Sequence, residues 1–558
     1  MNRQLLAPSQ SVRRLITKWR AVNRFPGIAD IALGAVLAAG FAALTLVCYF
    51  RLSPEVYHFS TWDYWFEGDP ARVYTLMTDR TSQQHHSTSH HPLFSALTYP
   101  PVFVLRSMIG LSAQTSVGLA VAAVSASWAA LMFATLRLIT LPRLDAAVFA
   151  LLAAACASSI YFFSVPETFG LSSLSILVAI ALAAGAERFG VAPPWVYIAA
   201  SAVTLSMTTT NWSAGLALLI VFLPWREAAL RAAQGFVVVL ALWALQHQIF
   251  PETDMFLNVF RSSEVDYLFN SEAGGILPKL RAFFFHSVIV PDTELVHGYR
   301  LSVQGAQLGE GGPLAAAGAT VWAALLAVTI WGLLRRRRQG FGFGGKTLLV
   351  LGLAIAGQLA VTIVFGIESF LYSTQFSPLL VIFAAFASLT PARPMALGLA
   401  AMLVAIALPA NLGRLWEDAG QAAAQYEHET NFGASLDAAV EPDILIVCGE
   451  NALAGSGEAA RERPPAEALD VGLCTFSLDG ALEYRPGWRL WYEDWSLEAV
   501  ETLDERGAEY FATHNSWGLE QREELFDAMD ERYLQLHRSD EFAIYDLDSP
   551  PATSGESE

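Results

Sequence analysis

Eleven separate apolar runs, each close to the length that crosses a bilayer, constrain this 558-residue chain more than any other feature. They fall near 31–50, 114–136, 144–163, 169–186, 194–210, 212–225, 232–250, 314–334, 347–366, 370–389 and 395–412. A helix needs about 20 mainly apolar residues to span the hydrocarbon core, where every backbone polar group must be bonded within the protein. The chain is therefore expected to be mainly α, a polytopic transmembrane bundle of about eleven helices. Composition agrees, since 54% of the residues are hydrophobic and only 15% charged, a balance that excludes an ordinary water-soluble protein. Membrane lipids are the surroundings this implies, and nothing in the charge calls for nucleic acid.

The stretch "MNRQLLAPSQSVRRLITKWRAVNRFPG" is basic, and the run after it continues without a small-residue cleavage site. It is expected to be an uncleaved first helix rather than a signal peptide. The stretch 94–110, "FSALTYPPVFVLRSMIG", is interrupted by Pro100 and Pro101 and is expected to lie along the membrane surface. Orientation follows from Lys and Arg, which concentrate in cytoplasmic loops. With the N-terminus inside, the cytoplasmic segments hold seventeen of them, and the much longer external loops 51–113 and 251–313 hold eight. The basic run Arg335–Arg338 then faces the cytoplasm. A multi-pass plasma (inner) membrane protein is expected, with a cytoplasmic N-terminus and a periplasmic C-terminal region.

The net charge of -18 is unevenly placed. Residues 413–558 hold 33 Asp and Glu against 9 Arg and no Lys, so that segment is -24 and residues 1–412 are +6. Two modules are expected: a membrane module, 1–412, and an acidic extracytoplasmic α/β domain, 413–558. In the latter "DILIVCG", "EYFATH" and "EFAIYDL" read as strands. "SLEAVETLDERG" and "LEQREELFDAMDERY" read as helices, with Gly507 a stop for the first. The final "SPPATSGESE" is expected to be disordered. Cys48 and Cys156 fall in apolar runs as small buried hydrophobes, whereas Cys448 and Cys474 can pair in an oxidising compartment.

Titratable groups gather in "TWDYWFEGDPARVYTLMTDRTSQQHHSTSHHPLF", residues 61–94, directly after the first span. Asp63 stands among Trp62, Tyr64, Trp65 and Phe66. Interfacial anchoring accounts for the aromatics; a carboxylate among them is a candidate base or metal ligand, its pKa open to desolvation. Glu167, in "SVPETFG", occupies a very short external turn, where it either starts a helix or faces Asp63 across a substrate. Glu368 in "IESFLYSTQFSP" is a third acid on that side, with Tyr372 beside it as a further substrate contact. The histidines have neither the cysteines nor the H-E-x-x-H helix of a zinc site. His90 and His91 suit an anionic headgroup or diphosphate, as do the external cations Arg72, Arg80, Arg261, Lys279, Arg281 and Arg300.

The order of these features resembles the GT-C superfamily of polytopic glycosyltransferases, in particular the bacterial branch that looks like protein O-mannosyltransferases and the aminoarabinose transferase. "WDYWF" supplies the Asp of the first external loop as Asp63, and "HHPLF" supplies the segment that opens the surface helix. Aligned without gaps, His90 matches the family histidine and His91 replaces the first proline. Glu167 in "SVPETFG" matches the acid at the outer end of the third helix, and the tail is similar to the small extracytoplasmic domain that ends such chains. Tyr64 stands where the branch has a second acid, which leaves Glu67 or Asp69 as its substitute.

The resemblance implies transfer of a sugar from a polyprenyl-phosphate donor to an envelope lipid, glycan or protein acceptor at the extracytoplasmic face. Asp63 would take the proton of the acceptor hydroxyl, and a single displacement would invert the anomeric carbon. Arg72 and Arg300, or a divalent ion (Mg or Mn) held by Asp63 and Glu167 if one is used, would stabilise the leaving phosphate. Two other classes compete. A lipid-linked sugar transporter would place ionisable groups near the membrane midplane, whereas here they collect at one face. A non-catalytic GT-C-like assembly partner would account for Tyr64.

Overall fold

The structure, a computed structural model, describes residues 27–52, 56–57, 64–190, 192–256, 268–269, 274–296, 300–337, 344–439, 446–448, 488–489, 497, 500–501, 510–514, 523–538 and 542–551. Helices occupy every apolar run: α1 Ile28–Leu52, then, after α2 Pro70–Thr78 and α3 Phe94–Ser107 in the first loop, α4 Ala113–Leu138. There follow α5 Arg143–Ala155, α6 Ala157–Phe162, α7 Phe169–Phe189, α8 Pro194–Met207, α9 Trp212–Phe222 and α10 Trp225–Ile249. After the short α11 Ile276–Arg281 come α12 Pro313–Arg337, α13 Gly345–Val364, α14 Ser373–Ala385 and α15 Arg393–Ala439. Among the described residues, eight helical segments are long and apolar enough to cross a membrane; α8 and the segment Thr209–Phe222 are shorter apolar helices. The protein is a multi-pass membrane protein.

Burial ranks the helices by place. In the segment Ser369–Leu389, 89% of the apolar window is buried, against 17% in α1 and in α10, so α14 is the centre of the bundle and α1 and α10 its rim. The α1–α4 pair approaches closely because position 118 is glycine: a Cβ there would lie 2.7 Å from the Tyr49 ring. One end of the bundle is tied by ion pairs among the expected cytoplasmic residues. Asp30 accepts from Arg137 at 2.9 Å and Arg143 at 2.8 Å, and Asp145 takes both Arg393 donors at 2.8 and 2.9 Å. Glu187 accepts from the backbone N–H groups of Gly344, Lys346 and Thr347, closing the start of α13.

Two differences from the hydropathy reading have physical causes. The apolar run 144–163 is broken at Cys156, whose backbone is extended, between α5 and α6. The freed groups are satisfied by the second long loop: Ala157 and Ser158 donate to the Val288 and Ser287 carbonyls at 3.0 and 3.1 Å. Asn411 completes the repair, donating to the Ala155 and Val288 carbonyls and accepting from Val290 N–H. A backbone break inside an apolar bundle survives only with such partners. The second difference is α15, which runs unbroken through residue 412 to Ala439, so the module boundary drawn there falls inside a helix. Leu415, Ala419 and Ala422 are buried in the same cluster as Trp65 and Phe66 of the first loop.

The first loop holds α2, a 3-10 segment Gln83–Ser89 and α3. Pro100 and Pro101 lie within α3, which buries Phe94, Thr98 and Val102 and exposes Leu97, Phe103 and Val104, the amphipathic division a surface-lying helix needs. The second loop adds an antiparallel pair, β1 Glu294–Val296 and β2 Arg300–Ser302. The C-terminal strands β3 Ile446–Cys448, β4 Trp488–Arg489, β5 Tyr510–His514, β6 Leu534–Arg538 and β7 Phe542–Asp546 form one mixed sheet, order β4-β3-β5-β7-β6. The helix α16 Glu523–Arg532 stacks Phe526 on Tyr545 of that sheet. Cys48 and Cys156 are buried free thiols, while Cys474, Arg261 and the last residues, 552–558, lie outside the described residues.

Candidate active site

The first loop turns sharply after Tyr64. Phe66 and Glu67 both take positive φ, 55° and 59°, a region that non-glycine residues enter at a cost of about 1–3 kcal/mol each. Aromatic burial offsets that strain: Trp65, Phe66, Tyr161, Phe162 and Phe370 are all buried and meet edge to face or stacked, with centroids 5.1–6.3 Å apart. Leu301 N–H of β2 donates to the Tyr64 carbonyl at 2.9 Å, which locks the turn to the second loop. Gly68 follows where no side chain fits, since a Cβ would sit 2.9 Å from the Trp65 carbonyl oxygen and 3.0 Å from Glu167 Oε1.

This turn delivers the acids. Glu67 pairs with Arg300 of β2, and its second oxygen accepts from Glu368 N–H at 3.2 Å. Asp69 pairs with Arg72 across the first turn of α2, while its own backbone N–H donates to Glu167 Oε1 at 2.6 Å. The other Glu167 oxygen accepts from Thr168 N–H at 2.8 Å. Burial and the neighbouring Asp69 charge raise the Glu167 carboxyl from its ordinary 4.5 to about 7, against the pull of its two N–H donors and Arg72. The acid therefore does more than start α7: it binds the first loop to the α6–α7 turn.

Glu368 is the most enclosed of the group. It accepts from Ser302 Oγ at 2.6 Å, from Val303 and Gln304 N–H at 3.2 Å and from Phe370 N–H at 3.0 Å. Burial raises its carboxyl, and those donors hold it back. Both oxygens are thus engaged by the protein, and Glu368 clamps the second loop to the turn before α14. Tyr372 packs its ring against Phe169 and Phe365, with centroids 5.6 and 6.1 Å away.

The two histidines of "HHPLF" separate. A carbonyl only accepts, so His91 Nδ1 carries the hydrogen given to Met207 O at 2.9 Å, and in the neutral ring Nε2 accepts from Thr168 Oγ1 at 3.2 Å. His91 thereby braces the residue next to Glu167. His90 contributes backbone bonds, donating to Ser87 O and accepting from Thr209 N–H, both at 3.1 Å. His85 is buried between Ser95 Oγ and the Asp79 carbonyl, and burial lowers its pKa. Lys279 is buried too, donating to the Ile363 and Gly366 carbonyls at the end of α13.

One contact set thus collects Glu67, Asp69, Arg72, Glu167, Arg300 and Glu368 from four connecting segments on one side of the bundle. Asp63 lies outside the described residues. Tyr64 is buried with its hydroxyl unpartnered, and burial pushes the phenol up, so it stays neutral and does not replace an acid. Glu67 and Asp69, the acids that follow it, pair with Arg300 and Arg72. Among the described residues no group of three or more His, Cys, Asp or Glu side chains is arranged to hold a metal ion, and the Glu167 oxygens are turned to backbone N–H groups.

No known family model matches the sequence, and no curated protein matches it. Among solved structures, the crystal structure of ArnT from Cupriavidus metallidurans bound to undecaprenyl phosphate superposes with a TM-score of 0.50 at 13% identity, over 91% of this chain and 97% of that one. The same protein in the apo state gives 0.46 at 12% identity over 91% and 97%. The arabinofuranosyltransferase AftD from Mycobacteria gives 0.45 at 12% identity, over 93% of this chain and 40% of that one. At 13% identity the first likeness is one of fold, and the fold is the GT-C type.

Proposed function

We propose that this polytopic membrane protein of the GT-C fold is a glycosyltransferase that moves a sugar from a polyprenyl-phosphate donor to an envelope lipid, glycan or protein. The observation that carries the reading is the gathering of Glu67, Asp69 and Glu167 with Arg72 and Arg300 on one side of an apolar bundle. A donor with a lipid tail and an anionic, sugar-bearing head needs that combination: hydrocarbon beside fixed positive charge, with carboxylates at the reacting carbon. The chain of like fold from Cupriavidus metallidurans was solved bound to undecaprenyl phosphate, which supports a donor of this class. Concentration of Lys and Arg at the opposite end of the helices supports an extracytoplasmic site in the inner membrane.

Asp63, in sequence next to the described turn, takes the proton of the acceptor hydroxyl as its oxygen attacks the anomeric carbon. The bond from that carbon to the phosphate oxygen breaks, and the phosphate leaves with the electron pair beside Arg300 and Arg72. Glu67 and Asp69 hold those guanidinium groups in place until the phosphate arrives. Glu167 fixes the loop that bears Asp63 and Asp69 through the Asp69 N–H. In a strain lacking the gene, the wild-type chain should restore the envelope sugar that has been lost, and Asp63→Asn, expressed equally, should not. Full restoration by Asp63→Asn removes Asp63 as the base and favours a non-catalytic assembly partner; an unchanged sugar inventory in the deletion strain contradicts the enzyme reading.

A further inference from the structure

Outside the acid cluster, α15 carries another buried acid. Asp418 is completely buried, six residues beyond the last apolar run, and two donors converge on it. Tyr161 OH of α6 donates to Oδ2 at 2.5 Å, and Thr293 Oγ1 of the second loop donates to Oδ1 at 2.6 Å. Each donor leads to one half of the Glu67–Arg300 ion pair. The Tyr161 ring stacks on Trp65, with centroids 5.5 Å apart and planes 26° apart, and meets Phe66 edge-on at 5.4 Å. Those two side chains brace the positive-φ turn that aims Glu67. Thr293 immediately precedes β1, whose pairing Val296↔Arg300 holds β2 and therefore Arg300. One turn earlier on α15, Arg414 pairs with Asp292 at 2.7 Å and fastens the same loop a second time.

We propose that Asp418 is a positioning residue: from α15 it fixes Tyr161 on one side and Thr293 on the other, so that Glu67 and Arg300 meet in register at the acidic site. Here a single carboxylate on α15 ties α6, whose Tyr161 stacks on the first loop, to the second loop, and neither donor belongs to the acid cluster itself. The proposal rests on the glycosyltransferase reading.

The test uses full-length protein in the deletion strain, with Asp418→Asn, Tyr161→Phe and the double variant at matched expression. The amide introduced by Asp418→Asn keeps an acceptor oxygen for one of the two donors and presents an NH2 to the other, Tyr161 or Thr293. Tyr161→Phe removes the Tyr161 bond while keeping the ring stack, so it serves if the first variant folds poorly. Expected is a loss of about tenfold or more in the restored envelope sugar for each single variant, with the double within about twofold of the worse single. Purified variants should melt within a few degrees of wild type yet bind undecaprenyl phosphate, the probe, more weakly, because Arg300 is the group that meets its phosphate. Wild-type restoration by both single variants overturns the proposal. Sugar loss that only tracks a large fall in melting temperature, or additive effects in the double variant, overturns it as well. A deletion strain with no missing sugar overturns the glycosyltransferase reading itself, and the proposal with it.

Discussion

Replacing Glu167 by Gln separates its buried charge from its shape, and the consequence is a changed dependence of stability on pH. Glu167 is raised from 4.5 to about 7 by burial and by Asp69, so the folded chain holds this proton more tightly than the unfolded chain does. Below about pH 4.5 both states are protonated and the group is silent. As pH rises toward about 7 the unfolded state ionises first, and stability falls; at 1.36 kcal/mol for each tenfold, the total is about 3 kcal/mol. Above about pH 7 both are ionised and the loss levels off. Gln does not titrate, so this part of the slope disappears, while Glu368, also raised, keeps its own part in both proteins. The amide also turns an NH2 toward one of the two N–H groups of Asp69 and Thr168, which costs about 1–3 kcal/mol and shows most clearly in acid. Thermal unfolding of the purified full-length protein between about pH 5 and about pH 8 should give a wild-type curve that declines more steeply than that of Glu167→Gln, the two converging at the alkaline end. Parallel curves, or a wild-type stability that rises across the window, would refute a protonated buried Glu167.

Gly68→Ala places a methyl group 2.9 Å from a carbonyl oxygen and 3.0 Å from Glu167 Oε1, so it should destabilise by about 1–3 kcal/mol and reduce sugar restoration about tenfold or more. An unchanged melting point with full restoration contradicts the close approach. The side chain of Arg300 is 9% exposed and that of Arg72 27%, so Arg300→Met should lower the melting temperature more than Arg72→Met. Adding Glu67→Gln should recover part of the Arg300→Met loss, and additivity of the two would deny the pair. His91→Ala should reduce restoration about tenfold through loss of the Thr168 brace, and wild-type restoration by that variant would deny the brace.

Much of this was legible in the residues. Each of the eight described helices long and apolar enough to cross a membrane falls on one of the apolar runs, and the loop acids and arginines stood out as charged groups beside the spans. The break at Cys156 was hidden because its repair comes from Asn411 and residues 287–290, more than a hundred positions away, while the run itself is uniformly apolar. The contact of His91 with Thr168 was hidden because it joins the first loop to the turn before α7, 77 positions away. Asp418 was masked by its neighbours, one acid among 33 in a segment read as a separate tail. Its role depends on α15 continuing past 412, which hydropathy does not report, because the helix stays buried on one face after its composition becomes polar.

The most direct test of the central claim follows the sugar itself. Lipid extracts and envelope fractions of the deletion strain and its wild-type parent should be compared by mass spectrometry. If the chain transfers sugar from a polyprenyl phosphate, one polyprenyl-phosphate-linked sugar accumulates in the deletion strain while the same sugar disappears from the envelope. Unchanged lipid-linked sugars together with an unchanged envelope would contradict it.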